Sequence, residues 1–113
     1  MLSTSVHWID TSLDLGKIPM GDSVVFHFRF TNTGTSPLIL GNIYTGCSCT
    51  TASHRGTAVA PGTTDSIKVV FDTRKSVTGF VSKTIQVKGN IASGGRVLRY
   101  SAMITGHKTV TGS

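Results

Sequence analysis

The two cysteines of the chain, Cys47 and Cys49, stand one residue apart in the segment Thr45-Gly46-Cys47-Ser48-Cys49-Thr50-Thr51. Thiolates at that spacing are soft ligands suited to Cu(I), and His54 follows closely enough to offer a third donor. A structural zinc wants four Cys or His ligands, and this segment supplies three at most. In an extended strand the side chains at i and i+2 lie on one side, about 6–7 Å apart, so modest bending closes both sulfurs on one ion. The same extended geometry puts an intramolecular Cys47–Cys49 bond near the upper limit of bridgeable separation. The spacing therefore favours two thiols packed as small apolar groups. A Cu(I) clamp of Cys47, Cys49 and His54, and a redox or intermolecular disulfide, are the alternatives.

Catalysis has little to work with. A cysteine nucleophile needs a base and a group to orient it, and His7, His27, His54 and His107 sit in no local signature. The acids are Asp10, Asp14, Asp22, Asp65 and Asp72, with no glutamate at all, so a carboxylate pair for acid–base work is not expected. No glycine-rich phosphate loop follows a parallel strand. The chain reads as no enzyme, with no catalytic residues and no cofactor.

The formal net charge is +6, spread along the chain. Arg74, Lys75, Lys83, Lys88, Arg96 and Arg99 are the candidate basic contact surface, and charge of this sign favours partners with acidic surfaces. Nucleic acid is not the expected partner, because only Tyr44, Tyr100 and Trp8 are candidates to stack bases, and Trp8 reads as a core plug. No run approaches the roughly 18 apolar residues of a membrane span. The first ten residues carry neither a basic stretch nor a long apolar one, so no secretory signal is read in them.

The elements that must position these residues follow a period of two. In Ser23–Thr31, Val24, Phe26, Phe28 and Phe30 share one face, and Val25, His27, Arg29 and Thr31 the other. Ile67, Val69 and Phe71 repeat the pattern. So do Val81, Ile85 and Val87, with Lys83 the odd member, and then Leu98, Tyr100, Ala102 and Ile104. Turn residues separate these runs at 31–37, 60–65, 73–79 and 90–95. The spacing predicts an all-β, immunoglobulin-like antiparallel sandwich of about seven strands, near 6–9, 13–18, 23–31, 37–44, 65–72, 80–88 and 96–106, with a loose segment at 48–59. One domain spans 1–113, its core at 6–106 and a polar tail at 107–113. Phe28, Phe30 and Phe71 supply the bulk of the core. Asn32-Thr33-Gly34 and Pro61-Gly62 are read as turns, the former because Asn and Gly accept positive φ.

The ordered landmarks at 13–22, 28–40, 46–50 (Gly-Cys-Ser-Cys-Thr), 60–62, 67–73 and 79–90 resemble a bacterial domain family of unknown function that carries a Cys-Gly-Cys-Thr-like segment. That family is similar to the immunoglobulin-like domains of the Hydin and major-sperm-protein type. Ser48 stands where its members often have Gly. The resemblance implies a seven-stranded sandwich used for binding and scaffolding, without a reaction.

Thr, Ser and Gly make up 43 of the 113 residues, a firm β-framework with polar faces. The expectation is a structural or interaction module within a larger assembly, a phage virion subunit such as a capsid or tail decoration protein, whose terminal segments clasp neighbouring copies. Its location is then a virion or a host cytoplasm. The alternative is a cellular envelope or cytoskeletal binding module that adds a partner's strand to its own edge, located in the bacterial envelope where an upstream signal has been removed. A Cu(I)-binding or redox Cys-x-Cys protein is the minor alternative.

Overall fold

The computed structural model describes residues 2–54 and 58–107, the last of these in its backbone alone. The tail expected to clasp neighbours lies, from 108 onward, outside the described residues. One sheet is formed by β1 (Val6–Trp8), β3 (Ser23–Asn32), β6 (Thr64–Asp72) and β5 (Thr50–Ser53), in the order β1-β3-β6-β5. The other is formed by β2 (Ser12–Met20), β8 (Gly95–His107), β7 (Gly79–Gly89) and β4 (Leu40–Thr45), in the order β2-β8-β7-β4. A 3-10 turn, Thr73–Lys75, follows β6.

The sheets close on one another through the faces that the period of two selects. Phe28, Phe30, Ile67, Val69 and Phe71 come from one side, and Val81, Ile85, Val87, Leu98, Tyr100, Ala102 and Ile104 from the other, all buried. Burying each large apolar side chain stabilises the fold by roughly 1.5–3 kcal/mol. Tyr100 sits at the centre of the layer, its ring 5.0 Å from Phe26 and 5.3 Å from Phe71 across the sandwich. Trp8 is half-buried and packs on Phe30 at 5.2 Å, as the sequence suggests.

Three expectations change. The loose segment at 48–59 contains β5, an edge strand paired from Thr50↔Phe71 to Ser53↔Lys68. Its four residues, Thr-Thr-Ala-Ser, are too short and too polar to show a period. The sheets are also not wholly antiparallel, because β2 runs parallel to β8. The chain leaves the first sheet after Trp8 and enters the second at Ser12, which sets β2 beside β8 in the same direction. Asp10 holds that corner. It accepts hydrogen bonds from the Arg29 amide (3.0 Å), Nε (2.7 Å) and Nη2 (3.2 Å), and the Arg29 guanidinium keeps its carboxyl below the usual range.

The third change concerns Asn32, expected as a reversing turn. It ends β3 fully buried, and every polar atom of its side chain is used. Its Oδ1 accepts from Thr4 Oγ1 (2.7 Å) and the Gly34 amide (3.1 Å), and its Nδ2 donates to the carbonyls of Ser36 and Val59 (2.9 Å each). Gly34 is required for space, not for a positive φ. A Cβ there would lie 2.6 Å from the Ser5 backbone nitrogen and closer still to Thr4 Oγ1. Gly34→Ala is therefore expected to cost about 1–3 kcal/mol in chemical denaturation, because Thr4 must leave Asn32. An unchanged midpoint would show that the amino-terminal segment moves aside freely. The turn at 60–63 agrees with the sequence: Gly62 has φ 81° and the Thr63 amide donates to the Ala60 carbonyl.

Candidate functional site

The cysteine segment is the crossing between the sheets: Thr45 ends β4 in one, and Thr50 begins β5 in the other. The four residues between form a turn in which the Thr50 amide donates to the Cys47 carbonyl at 3.2 Å. Thr45 Oγ1 closes its base on the Thr50 carbonyl at 3.0 Å. Cys47 and Cys49 are bonded as a disulfide with their Cα atoms 5.2 Å apart, well inside the bridgeable range. This corrects the expectation of two packed thiols. The objection to a bond within the pair assumed an extended strand, and a turn shortens the separation. A ring this small constrains the unfolded chain less than the ~3 kcal/mol ascribed to a 15-residue loop, so its main effect is local shape.

The Cu(I) candidates are not brought together. The sulfurs of Cys47 and Cys49 are bonded to each other, while His54 Nε2 meets Asp65 Oδ2 at 3.0 Å. Among the described residues no three His, Cys, Asp or Glu side chains are grouped to hold a metal. His54 and Asp65 line a depression of about 480 Å³ with His27, Ser53, Ser66 and Lys68. This grouping is missed in the sequence because it depends on β5 lying against β6.

The basic residues are distributed. Arg74 and Lys75 occupy the 3-10 turn beyond β6, and Arg74 is bound back onto Asp72 through Nε (3.0 Å) and Nη2 (3.1 Å). Lys88 and Arg96 lie at the far end of β7 and β8, opposite Gly95 and Val87, about 30 Å along the sheet from Gly79. Arg99 faces out midway, beside Thr84 and Ser12. Lys83, opposite Tyr100, is half-buried and borders the disulfide turn. Of the stacking candidates, Tyr100 is fully buried, Trp8 half-buried and Tyr44 exposed.

The strand edges differ in chemistry. β1 has three residues. β2 carries Asp14, Lys17, Pro19 and two register shifts, which are devices that blunt an edge against further pairing. β4 (Leu-Gly-Asn-Ile-Tyr-Thr) and β5 (Thr-Thr-Ala-Ser) contain no charge and no proline. Each is an edge strand among the described residues, and the two lie side by side where the sandwich opens. Between them runs a groove of about 260 Å³ lined by Leu40, Gly41, Ile43, Ala52, Ser53 and His54.

Two facing four-stranded sheets, with the chain switching between them near its start, make this an immunoglobulin-like sandwich. Its likeness to PapD-like domains is high: the PapD-like domain 7 of human CEP192 superposes with a TM-score of 0.75 at 11% identity, over 94% of this chain and 89% of that one. A protein of unknown function from Porphyromonas gingivalis W83 gives 0.80 at 20% identity over 90% of this chain. This chain spans about half, 47%, of that protein's length. The periplasmic chaperone SfaE gives 0.60 at 12% identity, over 95% of this chain and 60% of that one. The chain belongs to the DUF1573 family, described as a protein of unknown function, whose model matches residues 6–104. No curated protein matches it.

Proposed function

We propose that the chain is a non-catalytic protein-interaction module that takes up an extended segment of a partner along β4 and β5. The observation that carries this reading is the contrast between edges, with β2 blunted by charge, proline and two register shifts while β4, with one register shift, and β5 carry neither charge nor proline and flank a groove of mixed polarity that Leu40, Ile43 and Ala52 line with Gly41, Ser53 and His54. An added strand satisfies edge amides and carbonyls and sends alternate side chains into the groove. The net charge of +6 favours a segment flanked by acids. The likeness to a periplasmic chaperone and to a human PapD-like domain supports a binding role of this kind. The disulfide supports an oxidising compartment such as the bacterial envelope over a cytoplasm.

A ten-residue peptide alternating Val and Thr between Asp termini tests this reading. Amide exchange with the peptide bound is expected to protect residues of β4 and β5. Binding in the range of roughly 10–1,000 μM is expected, weakened at least about tenfold by Ile43→Lys in the groove and by Thr51→Lys on the edge. Protection confined to β1 or β2, or no binding at 1 mM, would sink it. Self-assembly into regular particles without peptide uptake would support the virion-subunit reading instead.

A further inference from the structure

We propose that Cys47 and Cys49 form a thiol–disulfide exchange centre, in which Cys47 is the sulfur that meets a partner thiol and Cys49 is the buried leaving sulfur. Three observations carry this. The pair is asymmetric: Cys47 is half-buried at the surface, while Cys49 is 1% exposed and belongs to the core. Cys47 also has a hydrogen-bond donor on its sulfur and a lysine in the same depression. The Cys49 amide donates to Cys47 Sγ at 3.1 Å, and Lys83 lines the same depression, of about 170 Å³, with Cys47, Gly46, Thr50, Ser82 and Thr84. A hydrogen-bond donor and a nearby ammonium both stabilise a thiolate at Cys47.

The third observation is the hydroxyl pair behind the buried sulfur. Cys49 Sγ and Thr50 Oγ1 lie 3.4 Å apart, and Thr50 Oγ1 is bonded to the Tyr100 hydroxyl. A disulfide sulfur has no hydrogen, so it can only accept from the Thr50 hydroxyl, which shares its one proton between Cys49 Sγ and the Tyr100 oxygen. A donor hydroxyl is thus within reach of the sulfur that must leave with negative charge.

The exchange balances with a dithiol partner as reductant. A partner thiolate attacks Cys47 Sγ, the Cys47–Cys49 bond breaks, and Cys49 leaves with the electron pair and takes up a proton. The partner's second thiolate then attacks its own sulfur in the mixed disulfide and releases Cys47 as a thiolate. The partner gains a disulfide by giving up two electrons, which the Cys47–Cys49 pair accepts. The reverse sequence lets the reduced pair reduce a partner disulfide. This chemistry does not depend on the edge-strand reading, since neither the groove nor the peptide takes part in it.

The test treats the oxidised full chain with reduced glutathione at pH 7, quenches with acid and maps the mixed disulfide by peptide mass. Glutathione is expected on Cys47 over Cys49 by at least about tenfold. Lys83→Gln is expected to slow the reaction about threefold, and Lys88→Gln, on the outward face of the same strand, to leave it unchanged. Alkylation of the reduced wild-type chain needs no variant: Cys47 is expected to react at least about tenfold faster than Cys49, and at lower pH than an ordinary thiol. An adduct on Cys49, equal labelling of both sulfurs, or a pair that glutathione reduces more slowly than it reduces an unfolded Cys-Ser-Cys peptide would overturn the proposal.

Discussion

Asn32→Ala is expected to lower the unfolding free energy by roughly 3–5 kcal/mol, measured as a fall in the denaturant midpoint at unchanged slope. The side chain is fully buried and makes four hydrogen bonds, to Thr4, Gly34, Ser36 and Val59. Its removal leaves the Ser36 carbonyl and the Thr4 hydroxyl without that partner, where buried polar groups cost about 1–3 kcal/mol each, while the Val59 carbonyl keeps the Leu38 amide. Asn32→Asp is expected to be no milder, because it turns an oxygen toward two carbonyls and buries a charge. Asn90→Ala is the control. Asn90 also makes three hydrogen bonds, to Leu2, Pro37 and Ile39, but in a half-exposed position where water replaces them, so about 1 kcal/mol is expected. Equal losses at the two sites would show that burial does not set the difference.

The second large effect is at Tyr100. Tyr100→Ala is expected to cost about 3–5 kcal/mol, because it empties the centre of the core and removes the ring contacts with Phe26 and Phe71. Tyr100→Phe keeps the packing and loses only the bond to Thr50, for about 1 kcal/mol. The two also separate by pH. Burial raises the phenol's pKa above its ordinary 10.0, partly opposed by the hydrogen bond with Thr50. The folded chain thus keeps this proton where the unfolded chain has released it. The contribution is fully present below about pH 10 and falls as pH rises toward the folded-state pKa, by up to about 1.4 kcal/mol per unit. Tyr100→Phe should flatten that alkaline limb, and Tyr44→Phe, on the exposed edge, should not. An identical limb in both variants would assign it to other groups.

What the sequence disclosed follows from where period two is strong. β3, β6, β7 and β8 alternate so regularly that their inward residues are read correctly one by one, down to Lys83 as the odd member. β5 was hidden because four small polar residues on an edge need no pattern; their partner strand positions them. The direction of β2 against β8 was hidden because alternation is the same for parallel and antiparallel neighbours. The disulfide is not legible because it depends on a turn at Gly46–Cys49, where the chain changes sheets, and residue types at that spacing fit an extended backbone as well. The depression around His54 and the β4–β5 groove depend on that same crossing and could not be assembled without it.

The parallel pairing of β2 and β8 has a mechanical meaning. β2 follows the start of the chain, and β8 runs on toward its end, side by side and in the same direction. Tension applied at the start of β2 and the end of β8 therefore draws β2 backward and β8 forward, sliding one along the other. The hydrogen bonds that join them lie across the line of pull and take the load together, whereas a hairpin pulled from its open end surrenders its bonds one after another. Among the described residues, β2 and β8 are thus paired in the geometry that resists separation by shear.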